Sequence, residues 1–134
     1  METAAALIAL CLRAQGFGEH FRHTSWRYQL LADRVLELIR ANATRAAPEF
    51  TLRETARTVG ASVSHLNRIL KKQIGLTFHQ LLLRRRLENA RDLLGRGKLN
   101  CTEAALESGF NDSNYFARIF RKTYGYRPSE LGRK

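Results

Sequence analysis

Residues 62–75, SVSHLNRILKKQIG, decide the architecture of this chain. Their apolar side chains recur at the i, i+3, i+4, i+7 spacing that predicts a helix with one buried face; the residues concerned are Val63, Leu66, Ile69, Leu70 and Ile74. The opposite face carries Ser64, Asn67, Arg68 and Lys71, flanked by His65 and Lys72. A helix that is sealed on one side and basic on the other has the properties needed to lie in a DNA groove.

The segment before this helix completes a recognisable unit. Residues 52–59, LRETARTV, predict a two-turn helix, with Thr51 as its N-cap and Glu54 at the matching capping-box position. Gly60 and Ala61 interrupt the helical pattern, and Ser62 can cap the next helix. A short helix, a glycine turn and a polar-faced helix form the helix-turn-helix layout. Any helical bundle has short turns, so this layout by itself is only moderately specific.

The same pattern returns about 50 residues later. Residues 102–125, TEAALESGFNDSNYFARIFRKTYG, parallel residues 53–75, and Gly109 and Gly125 correspond to Gly60 and Gly75. One inserted residue in the turn changes the offset between the copies from 49 to 50. The outer cations repeat as well: Arg68, Lys71 and Lys72 correspond to Arg118, Arg121 and Lys122. A purely structural repeat of helical hairpins would not need to repeat a basic outer face.

The segments around the two copies are also predicted to be helical. Residues 77–94 predict a helix, capped by Thr77 and Gln80, that is roughly 27 Å long at about 1.5 Å per residue. Residues 26–43 predict an amphipathic helix; its expected apolar stripe is Leu30, Leu31, Val35, Leu38 and Ile39. Residues 4–15 predict a short apolar helix, followed by a glycine-containing linker.

These elements define an expected organisation. The fold class is all-α, with two helix-turn-helix subdomains joined by a long linker helix and a short extra N-terminal helix. Residues 1–27 form an N-terminal helix and linker, and residues 28–134 form the DNA-binding domain. Within that domain we expect a first helix-turn-helix unit at 28–76, the linker helix at 77–95 and a second unit at 96–134.

The charge of the chain points to a polyanionic partner. The net charge is +11, from 23 basic and 12 acidic residues. Residues 1–26 hold two of each sign, so the remainder carries 21 basic against ten acidic residues. An excess of this size on a small domain favours nucleic acid as the partner. The alternative is that the arginines only keep helix faces soluble.

Other chemistry is not supported by the sequence. Cys11 and Cys101 belong to no motif and are predicted to be buried free thiols, which fits a reducing compartment. His20 and His23 have the spacing of a ligand pair, but no third ligand accompanies them, so we expect no metal. No nucleophile–base pair or phosphate-binding glycine loop is present, so we expect neither an enzyme nor a cofactor. Residues 4–12 lack the basic start of a signal peptide and are too short to span a membrane.

The chemistry of the two outer faces assigns candidate DNA contacts. Arg68 and Arg118 suit a two-pronged contact with guanine, and asparagine suits adenine. The candidate base contacts are Ser64, His65, Asn67, Arg68, Ser113, Asn114, Ala117 and Arg118. The candidate phosphate contacts are Ser62, Lys71, Lys72, Arg121 and Lys122. For each arginine, the alternative is a surface ion pair. Two such helices on one chain can reach successive major-groove segments, about 34 Å apart, at an asymmetric site.

Over residues 28–131 the sequence resembles the AraC/XylS family of bacterial transcription regulators. The first half matches in Leu52, Glu54, Ala56, Gly60, Ser62, His65, Leu66, Arg68, Lys71, Lys72 and Gly75, and the linker in Arg86, Leu87, Ala90, Leu93 and Leu94. The second half matches in Ala105, Gly109, Phe110, Tyr115, Phe116, Arg118, Phe120, Lys122, Gly125 and Pro128. The sequence departs from the family at Leu70, where Phe is common, and at Leu131 and Gly132, where Tyr-Arg is common.

The resemblance implies a seven-helix domain that acts as a sequence-specific activator or repressor and contacts RNA polymerase. Most relatives carry a sensor domain before this one, so we expect a C-terminal part of a longer regulator, with a small-molecule inducer for the missing domain; the alternative is a stand-alone regulator. We expect a monomeric domain or a weak dimer through residues 4–15. The implied location is the bacterial cytoplasm, at the nucleoid, with no membrane association. The competing hypothesis is a non-specific or architectural nucleic-acid-binding protein.

Overall fold

The computed structural model describes residues 25–45 and 49–131, and within them it contains seven helices and no strand. In chain order the helices are α1 (Ser25–Asn42), α2 (Leu52–Val59), α3 (Val63–Gln73), α4 (Phe78–Gly95), α5 (Cys101–Glu107), α6 (Ser113–Tyr124) and α7 (Pro128–Leu131). The all-α class with two helix-turn-helix pairs and a long helix between them is confirmed. The N-terminal helix and linker predicted for residues 1–27 lie almost entirely outside the described residues, as do Cys11, His20 and His23.

The described residues form two compact units. The first comprises residues 25–40 and 52–81, and the second comprises residues 41–45, 49–51 and 82–131. Helix α4 begins in the first unit and continues into the second. The boundaries expected from the sequence, 28–76, 77–95 and 96–134, stay a prediction. None of the described helices is both long enough and apolar enough to cross a bilayer.

Helix α1 buries Val35 and Ile39 of the expected stripe, together with Ala32, which was not expected. Ala32, Val35 and Ile39 are buried at the i, i+3, i+7 spacing of one helix face, whereas Leu30 is 59% exposed. The buried face therefore lies nearer to Ala32 than the sequence pattern predicts. A small side chain can fill a helix contact just as a large one can. The expectation that Leu30 belongs to the buried stripe was wrong.

The first helix-turn-helix pair closely follows its sequence pattern. Ser62 is the N-cap of α3 and accepts a hydrogen bond from the His65 amide at 3.1 Å. Leu66, Ile69 and Leu70 are buried. Val63, at the first helical position, is 39% exposed and so lies at the margin of this face. The predicted capping box of α4 is also confirmed: the Thr77 amide donates to Gln80 Oε1 at 2.9 Å, and the Gln80 amide donates to Thr77 Oγ1 at 3.3 Å.

An aromatic core holds α6 in the second unit. Phe110, Phe116 and Phe120 are buried, and successive ring centroids lie 5.0 and 5.6 Å apart. Tyr124 and Tyr126 extend the cluster, each packing edge-on against Phe120 at 4.7 and 5.5 Å. Such contacts add about 0.5–1.5 kcal/mol per pair beyond the burial of apolar area. The buried face of α6 is therefore firmly fixed, which defines the face that remains outside.

Arg86, in the middle of α4, binds two backbone carbonyls of the loop that follows α1 within the second unit. Its Nε donates to the Ala43 carbonyl at 2.7 Å, and its Nη2 donates to the Arg45 carbonyl at 2.8 Å. Burial lowers the pKa of this guanidinium. Gly109, in the turn between α5 and α6, lies directly against this contact. Arg86 is thus a structural residue of the unit that contains the second recognition helix.

Candidate nucleic-acid interface

The two helix-turn-helix turns share their backbone hydrogen bonds as well as their sequence pattern. The Ala61 amide donates to the Ala56 carbonyl at 2.9 Å, and the Phe110 amide donates to the Ala105 carbonyl at the same distance. These pairs are related by the offset of 49 residues. In each copy the preceding glycine has a positive φ, which is +74° at the first turn and +95° at the second. Equivalent turns therefore direct the chain into α3 and α6.

The offset becomes 50 at the start of the recognition helices, as the sequence predicts. The Leu66 amide donates to the Ser62 carbonyl at 2.9 Å, and the Phe116 amide donates to the Asp112 carbonyl at 3.0 Å. The inserted residue is therefore Asn111, between the Phe110 amide and the Asp112 cap. Asp112 caps α6 through its carboxylate, whereas α3 is capped by a neutral hydroxyl.

The thirteen candidate DNA contacts all remain accessible, since none of them is buried. Nine are exposed, namely Ser62, Ser64, Arg68, Lys71, Lys72, Asn114, Arg118, Arg121 and Lys122. Four are half-buried, namely His65, Asn67, Ser113 and Ala117. Neither α3 nor α6 contains an Asp or Glu, so every formal charge on the outer face of each helix is positive. Such a face attracts a phosphate backbone before any specific contact forms.

The two candidate guanine readers have different surroundings. Within the described residues the Arg68 side chain makes no hydrogen bond or ion pair. The Arg118 guanidinium lies over the Tyr115 ring, with Cζ 5.6 Å from the centroid. A cation–π contact at an exposed site contributes only about 0.5–1 kcal/mol, so it orients the arginine without preventing it from binding a base. The surface ion pairs considered as the alternative for these arginines are absent from the described part of the chain.

His65 is held by an aromatic neighbour within the first unit. Its ring packs edge-on against Tyr28 of α1, with centroids 5.9 Å apart. This contact restricts the histidine to the margin of the outer face of α3. His65 can therefore reach fewer base positions than Arg68, which lies one turn further along the same face.

Asn67 makes a contact that the sequence analysis missed. Its Oδ1 accepts a hydrogen bond from the Phe78 amide, the first residue of α4, at 3.0 Å. The sequence assigned Asn67 only to base recognition. The partner lies eleven residues away beyond a turn, so no helical spacing predicts the pair. The repeat could have indicated this pair, because both residues change together in the second copy, to Ala117 and Pro128.

The described residues were also compared with the requirements of a metal site and of a reactive thiol. Among the described residues, no group of three or more His, Cys, Asp or Glu side chains could hold a metal ion. Cys101, at the start of α5, is half-buried, and burial raises the pKa of its thiol, with a weaker opposing effect from a backbone hydrogen bond. A raised pKa lowers the thiolate fraction and with it the nucleophilicity.

Comparison with known proteins agrees with this geometry. A family model described as a helix-turn-helix domain matches residues 55–134, which include both turns. The HTH-type transcriptional activator RhaS of Escherichia coli (strain K12 / DH10B) is 31% identical over 128 residues, covering 92% of this chain. RhaS of Klebsiella pneumoniae (strain 342) is 38% identical over 85 residues, covering 63% of this chain and 31% of that protein.

Solved structures give the same result. The C-terminal domain of AraT, a response regulator from Geobacillus stearothermophilus, superposes with a TM-score of 0.70 at 28% identity, covering 75% of this chain and 82% of that chain. A transcriptional regulator with an AraC-type DNA-binding domain from Chromobacterium violaceum gives a TM-score of 0.70 at 26% identity, covering 77% and 89%. The chain belongs to the AraC/XylS family. AraC/XylS proteins are DNA-binding transcription regulators, not enzymes. The match spans 42% of the length of the Escherichia coli RhaS proteins and 31% of the Klebsiella pneumoniae one.

Proposed function

We propose that this AraC/XylS domain recognises a specific double-stranded DNA sequence by placing α3 and α6 in two successive major-groove segments. The observation that carries the proposal is the repeated outer face of these helices. Each face is accessible and free of acids, and each presents an arginine at the equivalent position, Arg68 in α3 and Arg118 in α6. A domain that binds DNA through charge alone has no need for this equivalence.

Each side chain has a role that follows from its chemistry. Arg68 and Arg118 bind guanine O6 and N7, Asn114 binds adenine, and the Ala117 methyl contacts a thymine methyl. Ser64, His65 and Ser113 lie beside them as shorter-range base contacts. The phosphate contacts are Ser62, Lys71, Lys72, Arg121 and Lys122, which fix register and orientation. Because Ser64 in the first copy is replaced by Asn114 in the second, the two helices read different bases and the DNA site is asymmetric.

The wider biological role is proposed from the family. The RhaS relatives are named transcriptional activators, so we propose that the regulator containing this chain activates transcription and contacts RNA polymerase. The RhaS proteins are longer than this chain, and this supports a preceding sensor domain that responds to a small-molecule inducer. A bacterial regulator of this kind acts in the cytoplasm, on the nucleoid. The oligomeric form proposed for this domain is a monomer, or a weak dimer through residues 4–15.

The competing function is non-specific or architectural nucleic-acid binding, which the net charge of +11 favours. A competition assay with random duplex DNA distinguishes specific recognition from non-specific binding. A specific binder keeps its preferred site in excess random duplex, with a specificity ratio on the order of a thousand or more. A non-specific binder loses the labelled site in proportion to the competitor. Selection from a random duplex pool supplies the site for this measurement.

Substitutions test the roles of individual side chains on the selected site. Arg68→Ala or Arg118→Ala is expected to cost about 1–3 kcal/mol and to relax the preference at one base pair. Lys72→Ala serves as the matched control, because removing a phosphate contact weakens binding to all sequences nearly equally. A uniform loss of affinity with Arg68→Ala would remove Arg68 from the base readers.

A further inference from the structure

The backbone amide of Phe78 needs a hydrogen-bond acceptor, and the side chain of Asn67 supplies it. Phe78 is the first residue of α4, and the first four amides of a helix have no acceptor within it. Water has little access to this position, because Phe78 is only 2% exposed. The capping box satisfies the amides of Thr77 and Gln80. The Asn67 Oδ1, at 3.0 Å, accepts from the Phe78 amide itself and so connects α3 directly to the first turn of α4.

The second copy lacks both partners of this hydrogen bond. The offset of 50 relates Asn67 to Ala117 and Phe78 to Pro128, the first residue of α7. Proline has no amide hydrogen and alanine has no side-chain acceptor. The neighbouring cap is nevertheless retained: the Arg127 amide donates to Glu130 Oε2 at 2.6 Å, as the Thr77 amide donates to Gln80. The asparagine is therefore present where the helix start has a donor and absent where it has none.

This hydrogen bond conflicts with base reading by Asn67. Two-pronged recognition of adenine requires Oδ1 and Nδ2 to face the same base edge. Here the atom facing Phe78 must be the oxygen, because the amide nitrogen of Phe78 can only donate. With Oδ1 directed at the start of α4, only Nδ2 remains for an outside partner. The half-buried position of Asn67 agrees with a side chain turned toward its own protein.

We propose that Asn67 is a positioning residue: its Oδ1 fixes the recognition helix α3 against the start of α4, and it does not read a base. This inference rests on the proposed DNA-reading function of α3. It leaves direct base reading in this unit to Ser64, His65 and Arg68. Asn114 lies at a different helical position in the second copy and keeps its assignment as an adenine reader.

The test uses the full chain carrying Asn67→Ala, Asn67→Asp or the control Asn114→Ala. Two quantities are measured: the melting temperature without DNA, and the base preference at every position from selection on random duplexes. We expect Asn67→Ala to lower the melting temperature by several degrees and to weaken all sequences by the same factor, leaving the preferences unchanged. Asn67→Asp keeps the acceptor and should retain the melting temperature. Asn114→Ala should keep the melting temperature and lose the preference at one base pair.

Two results would overturn the proposal. One is an unchanged melting temperature for Asn67→Ala, and the other is loss of preference at a single base pair with that variant. If Asn67→Ala does not fold, Asn67→Asp decides: an intact preference profile supports positioning, and loss at one base pair refutes it. If the wild-type chain selects no motif, the DNA-reading function fails by itself. The melting temperatures of the two Asn67 variants would then still confirm or refute the contact between α3 and α4.

Discussion

Gly109→Ala is the substitution for which the structure makes the sharpest quantitative prediction. Gly109 has a φ of +95°, and a Cβ added there would lie 2.8 Å from the Ala43 carbonyl oxygen and 2.8 Å from Arg86 Nε. Neither neighbour can move freely, because the first is backbone and the second already donates to that same carbonyl at 2.7 Å. The methyl group would therefore separate the guanidinium from its acceptor.

The expected loss has two parts. Left-handed backbone costs a residue with a Cβ roughly 1–2 kcal/mol relative to glycine. A hydrogen bond from a charged donor contributes about 1.5–3 kcal/mol, and Gly109→Ala disrupts at least one of the two that Arg86 makes. Together they predict a decrease of about 2.5–5 kcal/mol in the free energy of unfolding of the second unit.

Gly125→Ala is the matched control within the same unit. Gly125 has a φ of +83°, but no atom lies within 4 Å of the added Cβ, so this variant should lose only the backbone part, about 1–2 kcal/mol. Gly60→Ala, at the equivalent turn of the first copy, is a second control with open space around it. Urea unfolding followed by far-UV circular dichroism measures the free energy of unfolding of the three variants. Equal losses for Gly109→Ala and Gly125→Ala would refute the reasoning.

Two further predictions concern charge and thiol reactivity. Lys122→Ala should reduce the slope of log affinity against log salt by about one, because one phosphate contact is lost; an unchanged slope measured by titration from low to high salt would contradict that assignment. In a Cys11→Ser background, the native Cys101 thiol should be alkylated by iodoacetamide with a rate–pH midpoint above that of the urea-unfolded chain, because burial raises its pKa. A native midpoint equal to or below the unfolded one would exclude this effect.

The sequence was sufficient to predict the features that recur in it. The helix-turn-helix pattern occurs twice in the sequence, so comparing the copies identified Gly60 and Gly109 as turn glycines and predicted one inserted residue in the second turn. Helix starts were predictable as well, because capping residues act over three positions: Ser62 and Thr77 cap as expected. The exposed faces of α3 and α6 followed from the same periodicity.

Contacts between distant residues could not be predicted in this way. Arg86 lies 43 residues from the Ala43 carbonyl that it binds, so no local spacing in the sequence could predict this contact. The buried side of α1 is set by what packs against it, and a small residue such as Ala32 gives a weak periodic signal. Asn67 was assigned by the chemistry of its side chain, whereas its partner is fixed by how the chain turns after α3.

Selection of binding sites from a pool of random duplexes tests the central claim most directly. Two different recognition helices on one chain predict an asymmetric motif made of two boxes about ten base pairs apart, corresponding to one turn of DNA. Arg68→Ala should relax one box and Arg118→Ala the other. A pool that returns no motif, or a motif in which both substitutions affect the same box, would contradict the account.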